Sequence, residues 1–471
     1  MVLTEEKGSR IAFITYFKGD FGVHTLERKE PLQTALVSDF GEGGGGLTDF
    51  QAPLTHTLVQ ENKKKKGTFD KLFLDGRPPV NVGVTSGGDI FGGTQITFSD
   101  VLGDKQFNFF AASISQYRTI SGSYVNLSRR LQYALQGFSQ TDFFYGQLGG
   151  VFYDPALTPI IDRDLALATR TMNGGSAFAI WPFNRYRRVE LSAGVVHFDE
   201  QFSDPSLEQY SKEYQEQVYG QQLFYNGTAV PIGLSYVQET TVFREFGPLS
   251  GNTMKLSYEL APPIGDTLSR QTLDVDLRYY KRLGGSGLLA VRGRGFKSWG
   301  DNPTFNYFGG NADLRGYEYL QFVGNNTFYG NVELRFPLIE AMLTPVGILG
   351  GVRGVFFAGA GGAYFNNTPF KFWDNSTIAY TPTVGFGVDP VTGAPIEIKG
   401  DPVEISGFRL VDGRASYGFG LETFALGFPI HFDWAWRSLM NKSWEDALFA
   451  AAGGSEHFRQ SEFKVWVGYD F

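Results

Sequence analysis

The chain has 471 residues and a formal net charge of -8, with 60 glycines, 44 phenylalanines, 23 tyrosines and no cysteine. The acidic balance argues against a nucleic-acid partner, since phosphate binding needs a basic face, and the lack of cysteine excludes disulfides and thiolate metal sites. Glycine and aromatic residues at this level favour strands and turns, while a mean hydropathy of -0.17, with no apolar run near ~18 residues, argues against membrane-spanning helices.

Residues 1–33 form the first predicted unit. Residues 10–16 and 22–28 are predicted strands on either side of a turn at Lys18-Gly19-Asp20, which makes a short β-hairpin. Because an isolated hairpin is marginally stable in water, we expect it to complete a larger sheet. The stretch KGSRIAFITYFKGDFGVHTLER resembles the closing strands of a Tol-type β-propeller blade. The resemblance implies that residues 1–33 are the end of a propeller-like domain.

The segments around this hairpin are not typical of a signal peptide or a folded domain. The first apolar stretch, residues 11–17, is shorter than most secretory h-regions and follows Glu5, Glu6 and Lys7. We therefore expect the true N-terminus to lie upstream of Met1. Residues 34–75 have the composition of a linker, with glycines at 43–46 and lysines at 63–66.

From Val80 onward, segments of about ten residues place apolar side chains at every second position. In residues 271–280 the apolar members are Leu273, Val275, Leu277 and Tyr279, and the polar members between them are Asp274, Asp276 and Arg278. A period of two gives a strand with two different faces. Sixteen strands are predicted, at residues 80–86, 91–99, 105–115, 120–128, 131–140, 166–178, 186–199, 232–244, 251–261, 272–281, 287–297, 327–336, 350–361, 414–424, 428–436 and 462–471.

The lengths of the connections alternate along these strands. Those after even-numbered strands have roughly two to thirteen residues, and those after odd-numbered strands, from the third such connection onward, have roughly ten to fifty. Short turns at one rim and long loops at the other are typical of a single-chain outer-membrane barrel. A soluble sandwich or a propeller has no reason to keep this parity. An even strand count also places both ends of the barrel at the periplasmic rim.

The bilayer supplies the physical reason for closing such a sheet. Hydrocarbon offers no partner for backbone N–H and C=O groups, so strands can cross it only as a closed barrel. The apolar faces then meet lipid, while Asp274, Asp276, Arg292 and Arg294 point into a polar lumen. We predict an all-β fold, a transmembrane antiparallel β-barrel of about 16 strands over residues 76–471, in the bacterial outer membrane.

The C-terminus, FKVWVGYDF, alternates apolar residues and stops at an aromatic. This pattern is similar to the signal by which outer-membrane barrels are recognised by their assembly machinery. The residues predicted to carry it are Val467, Gly468, Tyr469 and Phe471. We therefore expect that machinery to be a partner during biogenesis.

A second motif lies in the long segment between the eleventh and twelfth predicted strands. The stretch FGGNADLRGY, at 308–317, resembles the (V/L)-R-G-(F/Y) motif of the bacterial surface antigen family. That family comprises the barrels of outer-membrane assembly factors and two-partner secretion transporters, and carries the motif in its sixth outer loop. The strand count independently makes this segment the sixth outer loop. The motif residues are Leu314, Arg315, Gly316 and Tyr317.

The stretch GNVELRFPL, at 330–338, resembles the twelfth strand of the same family. The resemblance implies that the loop folds back into the lumen and that Arg315 pairs with Glu333 on the inner wall. Family members usually add an acidic partner in the next strand, within a stretch of the type F-F-D-A-G. Here FFAG, at 356–359, puts Ala358 at the acidic position. We therefore expect Arg315 to rest on Glu333 alone.

The resemblance covers roughly residues 70–471 and implies a weak seam between the first and last strands. Family members pass or insert other barrels through this seam, and their periplasmic POTRA domains receive the client chain. Residues 1–75 do not show a POTRA pattern. The seam residues are Val80, Val82, Val84, Phe463 and Val465.

Two functions are compatible with these patterns. The first is insertion or export of outer-membrane or surface proteins, with client proteins and outer-membrane lipid as partners. The alternative, favoured by the propeller-like N-terminus, is a barrel that anchors a periplasmic propeller, or a diffusion channel, with no insertase activity. No G-x-S-x-G or H-E-x-x-H motif is present and the five histidines are scattered. We expect no enzymatic activity, no cofactor and no metal site.

Overall fold

The computed structural model describes residues 2–4, 10–17, 20–27, 72–75, 78–84, 90–114, 117–145, 167–244, 247–284, 287–344, 347–388, 395–425 and 428–468. The chain divides into two units, Met1–Lys66 and Gly67–Phe471. In the first unit, Arg10–Phe17 pairs with Asp20–Glu27, which confirms the predicted hairpin. A third strand, Val2–Thr4, pairs with the outer edge of Arg10–Phe17. Membership of this sheet in a propeller stays a prediction.

In the second unit, sixteen principal strands among the described residues follow one another in an antiparallel, closed barrel. Each of the sixteen predicted strands overlaps an observed one, while residues 85–86, 115, 166 and 469–471 of the predicted ranges lie outside the described residues. The observed strands are β1 Val80–Val84, β2 Ile90–Ser99, β3 Lys105–Ile114, β4 Tyr117–Asn126, β5 Gln132–Tyr145, β6 Leu167–Asn184, β7 Arg187–Phe202, β8 Ile232–Glu239, β9 Gly247–Ala261, β10 Arg270–Leu283, β11 Gly287–Trp299, β12 Asn326–Thr344, β13 Gly347–Tyr364, β14 Arg414–Ala425, β15 Phe428–Ser438 and β16 Glu462–Val467.

Two of the barrel strands are interrupted. A two-residue strand, Phe73–Leu74, pairs with β2 beyond the end of β1, so the barrel sheet begins before residue 76. The predicted linker, 34–75, therefore ends too late, because its last residues already belong to the barrel. The short strands Gly227–Ala229 and Val242–Arg244 continue the line of β8 against β7 and β9.

The predicted parity of the connections is present. Only two residues separate the even strand β12 from β13, and only two separate β14 from β15. Long segments, 300–325, 365–413 and 439–461, follow the odd strands β11, β13 and β15. The long loops therefore gather at one rim of the barrel.

The two faces of β10 separate apolar from charged side chains. Leu273, Leu277 and Tyr279 are exposed on the outside of the barrel. Asp274 and Asp276 face inward and pair with arginines of β10 and β11. Inward charges with partners, and apolar residues outside, are what a barrel surrounded by lipid requires.

The long loops contain elements that the sequence did not predict. A helix, Pro205–Tyr219, follows β7, and its N-terminus is capped by Asp204, which accepts a hydrogen bond from the amide of Ser206. The loop after β13 forms three two-stranded ribbons, Trp373–Asp374 with Arg409–Leu410, Ile378–Tyr380 with Val403–Ile405, and Thr383–Val388 with Pro395–Lys399. The loop after β15 contains helices Lys442–Leu448 and Gly454–Phe458, joined by a 3-10 turn, Ala450–Ala452.

The last two of these loops share a hydrophobic core. Its buried members are Ile405, Leu410, Ala415, Leu439, Trp444, Ala447 and Phe458. The core fixes the two loops to each other at the rim above β14 and β15. Within the described ranges, no helix has the length and apolarity needed to cross a membrane.

Candidate functional site

The sixth outer loop, 300–325, reverses direction through a small ribbon of Asn306–Phe308 paired with Phe322–Gly324. Gly309 and Gly310 follow the first strand of this ribbon with φ values of 127° and 93°. A Cβ atom at Gly309 would lie 2.7 Å from the carbonyl oxygen of Glu318. Both positions therefore need glycine, and their backbone directs the following motif towards the inner wall.

Arg315 lies at the centre of the contacts between this loop and the wall. Its Nη2 is 2.9 Å from Oε1 of Glu333 on β12, and its Nε is 3.4 Å from Oδ2 of Asp433 on β15. Its guanidinium carbon lies 4.5 Å from the ring centroid of Phe357 on β13. Only 7% of the side chain is exposed. One arginine thus contacts three strands of the wall.

The expectation that Glu333 alone faces Arg315 is wrong, because the carboxylate of Asp433 also contacts Arg315. That expectation depended on Ala358, which occupies the usual acidic position. Ala358 is exposed on the outside of β13, whereas its neighbour Phe357 faces Arg315 from within. An acid at 358 would point away from the loop, because successive strand residues face opposite sides. Asp433, two strands further along the barrel, supplies the missing charge.

Glu333 is shared between two arginines. Its Oε2 accepts hydrogen bonds from Nε and Nη2 of Arg335, at 2.9 and 2.7 Å, while Oε1 faces Arg315. All three side chains are buried. Two positive charges therefore face the carboxylates of Glu333 and Asp433. Charges this deeply buried are tolerated only when they are paired and hydrogen-bonded.

Gly316 and Tyr317 bring the loop backbone against β14 and β15. Gly316 has φ 83°, and a Cβ there would lie 3.1 Å from Cβ of Ala435. The Tyr317 hydroxyl donates a hydrogen bond of 3.1 Å to the carbonyl oxygen of Ala415. Burial raises the pKa of Tyr317, so the hydroxyl stays a protonated donor.

Leu314 anchors the motif through apolar contacts. It forms a buried cluster with Phe308, Tyr317 and Tyr329. A Cβ at Gly359 of β13 would lie 3.0 Å from Cδ1 of Leu314. The small residue on this wall strand therefore makes room for the loop.

Asp313 forms a second polar contact just before the motif. Its carboxylate accepts a hydrogen bond from the Tyr329 hydroxyl and lies 3.7 Å from Nη1 of Arg292. The carbonyl oxygen of Asp313 accepts a hydrogen bond from the side-chain amide of Asn331. Asp313 was not among the predicted site residues, although it lies one residue before Leu314.

The last strand also reaches the loop. Lys464 Nζ donates hydrogen bonds to the Tyr317 carbonyl, at 3.2 Å, and to Oε1 of Glu318, at 3.1 Å. Trp466 Nε1 donates to Oδ2 of Asp433 at 2.7 Å. We call Leu314 to Tyr317, with Glu333, Asp433 and Lys464, the sixth-loop site. Asp433 and Lys464 were missed as site residues because no local pattern in β15 or β16 links them to the loop.

The predicted seam and signal residues lie as follows. Phe463, Val465 and Val467 are exposed on the outside of β16, and Val80 and Val82 are exposed on β1. Val84 ends β1 and pairs with Ile90. Around the barrel, β16 comes next to Phe73–Leu74 and β1. Gly468 donates its amide to the Pro429 carbonyl, and Tyr469 and Phe471 lie outside the described residues.

Comparisons with known proteins agree with this architecture. The Omp85 superfamily domain model matches residues 128–471. The structure of BamA from Haemophilus ducreyi lacking POTRA domains 1-3 is similar over 88% of this chain and 78% of that one, with 13% identity and a TM-score of 0.50. At this identity the likeness concerns the fold. No curated protein matches the chain.

Two structures of CdiB are also similar. CdiB from Acinetobacter baumannii has 12% identity, with 79% of this chain and 57% of that one covered and a TM-score of 0.37. CdiB from Escherichia coli has 13% identity, coverage of 78% and 58%, and a TM-score of 0.40. The chain thus spans less than two thirds of either CdiB chain.

Proposed function

The chain belongs to the Omp85 superfamily, and on that premise we propose that this outer-membrane barrel inserts or exports other outer-membrane or surface proteins. The route is the junction between β16 and β1. The partners are outer-membrane lipid, client β-rich chains and, during its own biogenesis, the barrel assembly machinery. The protein acts by conformational change, without a cofactor and without enzymatic activity.

The observation that carries the proposal is the ion pair between Arg315 and Glu333 inside the lumen. A diffusion channel needs an open lumen, and a loop motif bound to the wall by buried charges occupies part of that space. Binding a loop in this manner also creates a contact that can be broken and remade. Such a contact suits a barrel that changes shape during transport better than a static anchor.

The short strands at the junction support the proposed route. β1 comprises Val80–Val84 and is separated from Phe73–Leu74, while β16 comprises Glu462–Val467. By contrast, β12 and β13 pair from Asn326 to Thr344. Fewer ladder hydrogen bonds at the junction make it the easiest place to separate two strands. A client strand can then pair with the exposed backbone edge.

Depletion of the protein in its native host tests the proposal. We expect the amounts of some other outer-membrane or surface proteins to fall, and to recover on expression of the wild-type chain but not of Arg315→Ala. Arg188→Ala is a matched control, because Arg188 pairs with Glu190 of its own strand. Unchanged amounts of outer-membrane and surface proteins after depletion would refute the proposal.

Conductance separates the proposal from the channel alternative. In planar bilayers we expect the wild-type protein to give small, unsteady currents. Large and steady steps would favour a diffusion channel.

A further inference from the structure

The lumenal face of the last strand carries three polar side chains, Glu462, Lys464 and Trp466, which alternate with the outward residues of β16. Glu462 pairs with Arg437 of the neighbouring strand β15 at 3.4 Å. The other two side chains make their contacts within the sixth-loop site. The inner face of the strand at the proposed junction is thus connected to a loop that leaves the barrel between β11 and β12.

Lys464 makes the direct connection. Its Nζ donates to the backbone carbonyl of Tyr317 and to the carboxylate of Glu318. The side chain of Glu318 is 77% exposed, so its ion pair with Lys464 contributes little. Tyr317 itself is buried, and a charged donor on a buried carbonyl is costly to remove. The carbonyl contact therefore dominates.

Trp466 makes an indirect connection through Asp433. Oδ2 of Asp433 accepts the indole N–H at 2.7 Å and lies 3.4 Å from Nε of Arg315. Asp433 is 3% exposed, so both contacts are shielded from water. Movement of Arg315 would take its guanidinium away from the carboxylate that accepts the indole N–H. The indole, which also stacks on His431 with ring centroids 3.7 Å apart, is thus linked to the docked loop through Asp433.

We propose that Lys464 and Trp466 are positioning residues that couple the last strand to the docked sixth loop. Docking of Leu314 to Tyr317 holds the lumenal face of β16, and displacement of the loop releases it. On the proposed function, this coupling gives the loop control over the strand that must open for a client. The coupling itself is a property of the free barrel and needs no client.

Hydrogen exchange of the purified, refolded barrel in detergent micelles tests the coupling. Exchange rates of amides in β16 report how often the strand leaves its neighbour. We expect both Arg315→Ala and Lys464→Met to raise these rates by roughly tenfold, since each removes a charge-assisted hydrogen bond. Glu318→Gln should change them by less than about twofold, as for an exposed pair. Arg188→Ala, the control, should leave them unchanged.

The double variant separates one coupled unit from two independent effects. If the loop holds the strand through Lys464, adding Lys464→Met to Arg315→Ala should raise the exchange rates little further. Multiplication of the two single effects, or wild-type protection in Arg315→Ala, would overturn the inference. If Arg315→Ala does not fold, Arg315→Lys takes its place in the same double-mutant cycle. The lysine keeps the positive charge but lacks the Nε atom that contacts Asp433.

The outcome is independent of the proposed function. Coupled exchange in a protein whose depletion affects no other outer-membrane or surface protein would retain the inference and reject the function. Uncoupled exchange in a protein whose depletion lowers the amounts of such proteins would reject the inference and retain the proposed function.

Discussion

Arg315 and Glu333 lie 2.9 Å apart inside the barrel, with 7% and 3% of their side chains exposed. Neither could remain charged there alone, because an unpaired buried charge costs several kcal/mol. Arg335 pairs with the second oxygen of Glu333, and Oδ2 of Asp433 lies 3.4 Å from Nε of Arg315. The loop is therefore held by a buried cluster of two arginines and two carboxylates. Removing a positive or a negative side chain from this cluster unbalances its charge.

Glu333→Gln should destabilise the barrel by about 3–5 kcal/mol, because two buried arginines lose their shared carboxylate. The temperature at which the folded form converts to the unfolded form on unboiled gels measures this loss. Glu190→Gln is the control, since Glu190 pairs with a half-exposed arginine. Equal conversion temperatures for both variants would contradict the role given to Glu333.

Asp433→Asn should cost less, about 1–2 kcal/mol, because Arg315 keeps Glu333 and the amide oxygen still accepts the indole N–H of Trp466. Asp433→Ala should cost more, since it also removes the acceptor of Trp466. The ordering of the two conversion temperatures checks this. A more stable alanine variant would show that the contact with Trp466 contributes nothing.

Ala358→Asp should not strengthen the loop contact, although it restores the family's usual acidic residue. Position 358 lies on the outer face of β13, where an acid would meet lipid. We expect a loss of stability smaller than the ~2–4 kcal/mol that a lysine or arginine costs at the bilayer midplane. Combining Ala358→Asp with Asp433→Ala should not restore the conversion temperature, and restoration would place residue 358 in the lumen.

Gly316→Ala should destabilise the docked loop for two reasons. The left-handed backbone costs a non-glycine residue about 1–2 kcal/mol, and the new Cβ would lie 3.1 Å from Ala435. Gly265→Ala is the matched control, because Gly265 has φ 62° but a Cβ there would meet nothing within 4 Å beyond its chain neighbours. Protease accessibility of the loop should rise more for Gly316→Ala. An equal rise in both variants would show that the contact with Ala435 on the barrel wall does not contribute to the destabilisation.

Tyr317→Phe should cost about 0.5–1.5 kcal/mol near neutral pH, because the Ala415 carbonyl loses its donor. The pKa of Tyr317 is raised in the folded protein, so its stabilising contribution is complete below the ordinary tyrosine pKa of about 10. It is lost as pH rises through the higher folded-state value. The wild type should therefore lose more stability above about pH 10 than Tyr317→Phe does. If the free energies of unfolding of the wild type and of Tyr317→Phe fell in parallel with pH, the prediction would be contradicted.

The strands and their order around the barrel could be predicted from the sequence because the determining pattern is local. Leu273, Leu277 and Tyr279 each meet the surroundings of the barrel directly, so alternation within one strand is enough to identify its two faces. The same holds for the parity of the connections, which depends only on where the strands end. The position of Arg315 in the sixth loop followed from that count.

The partners of Arg315 depended on the tertiary structure. Glu333 could be inferred from the family resemblance, but Asp433 and Lys464 lie on strands that only barrel closure brings to the loop. The helices and ribbons of the loops after β13 and β15 were likewise not predictable, because these two loops share a hydrophobic core. The outer face is determined residue by residue, since lipid accepts any apolar side chain. A polar lumen requires donors and acceptors from distant segments to match in position and charge, and that matching exists only after the chain has closed into a barrel.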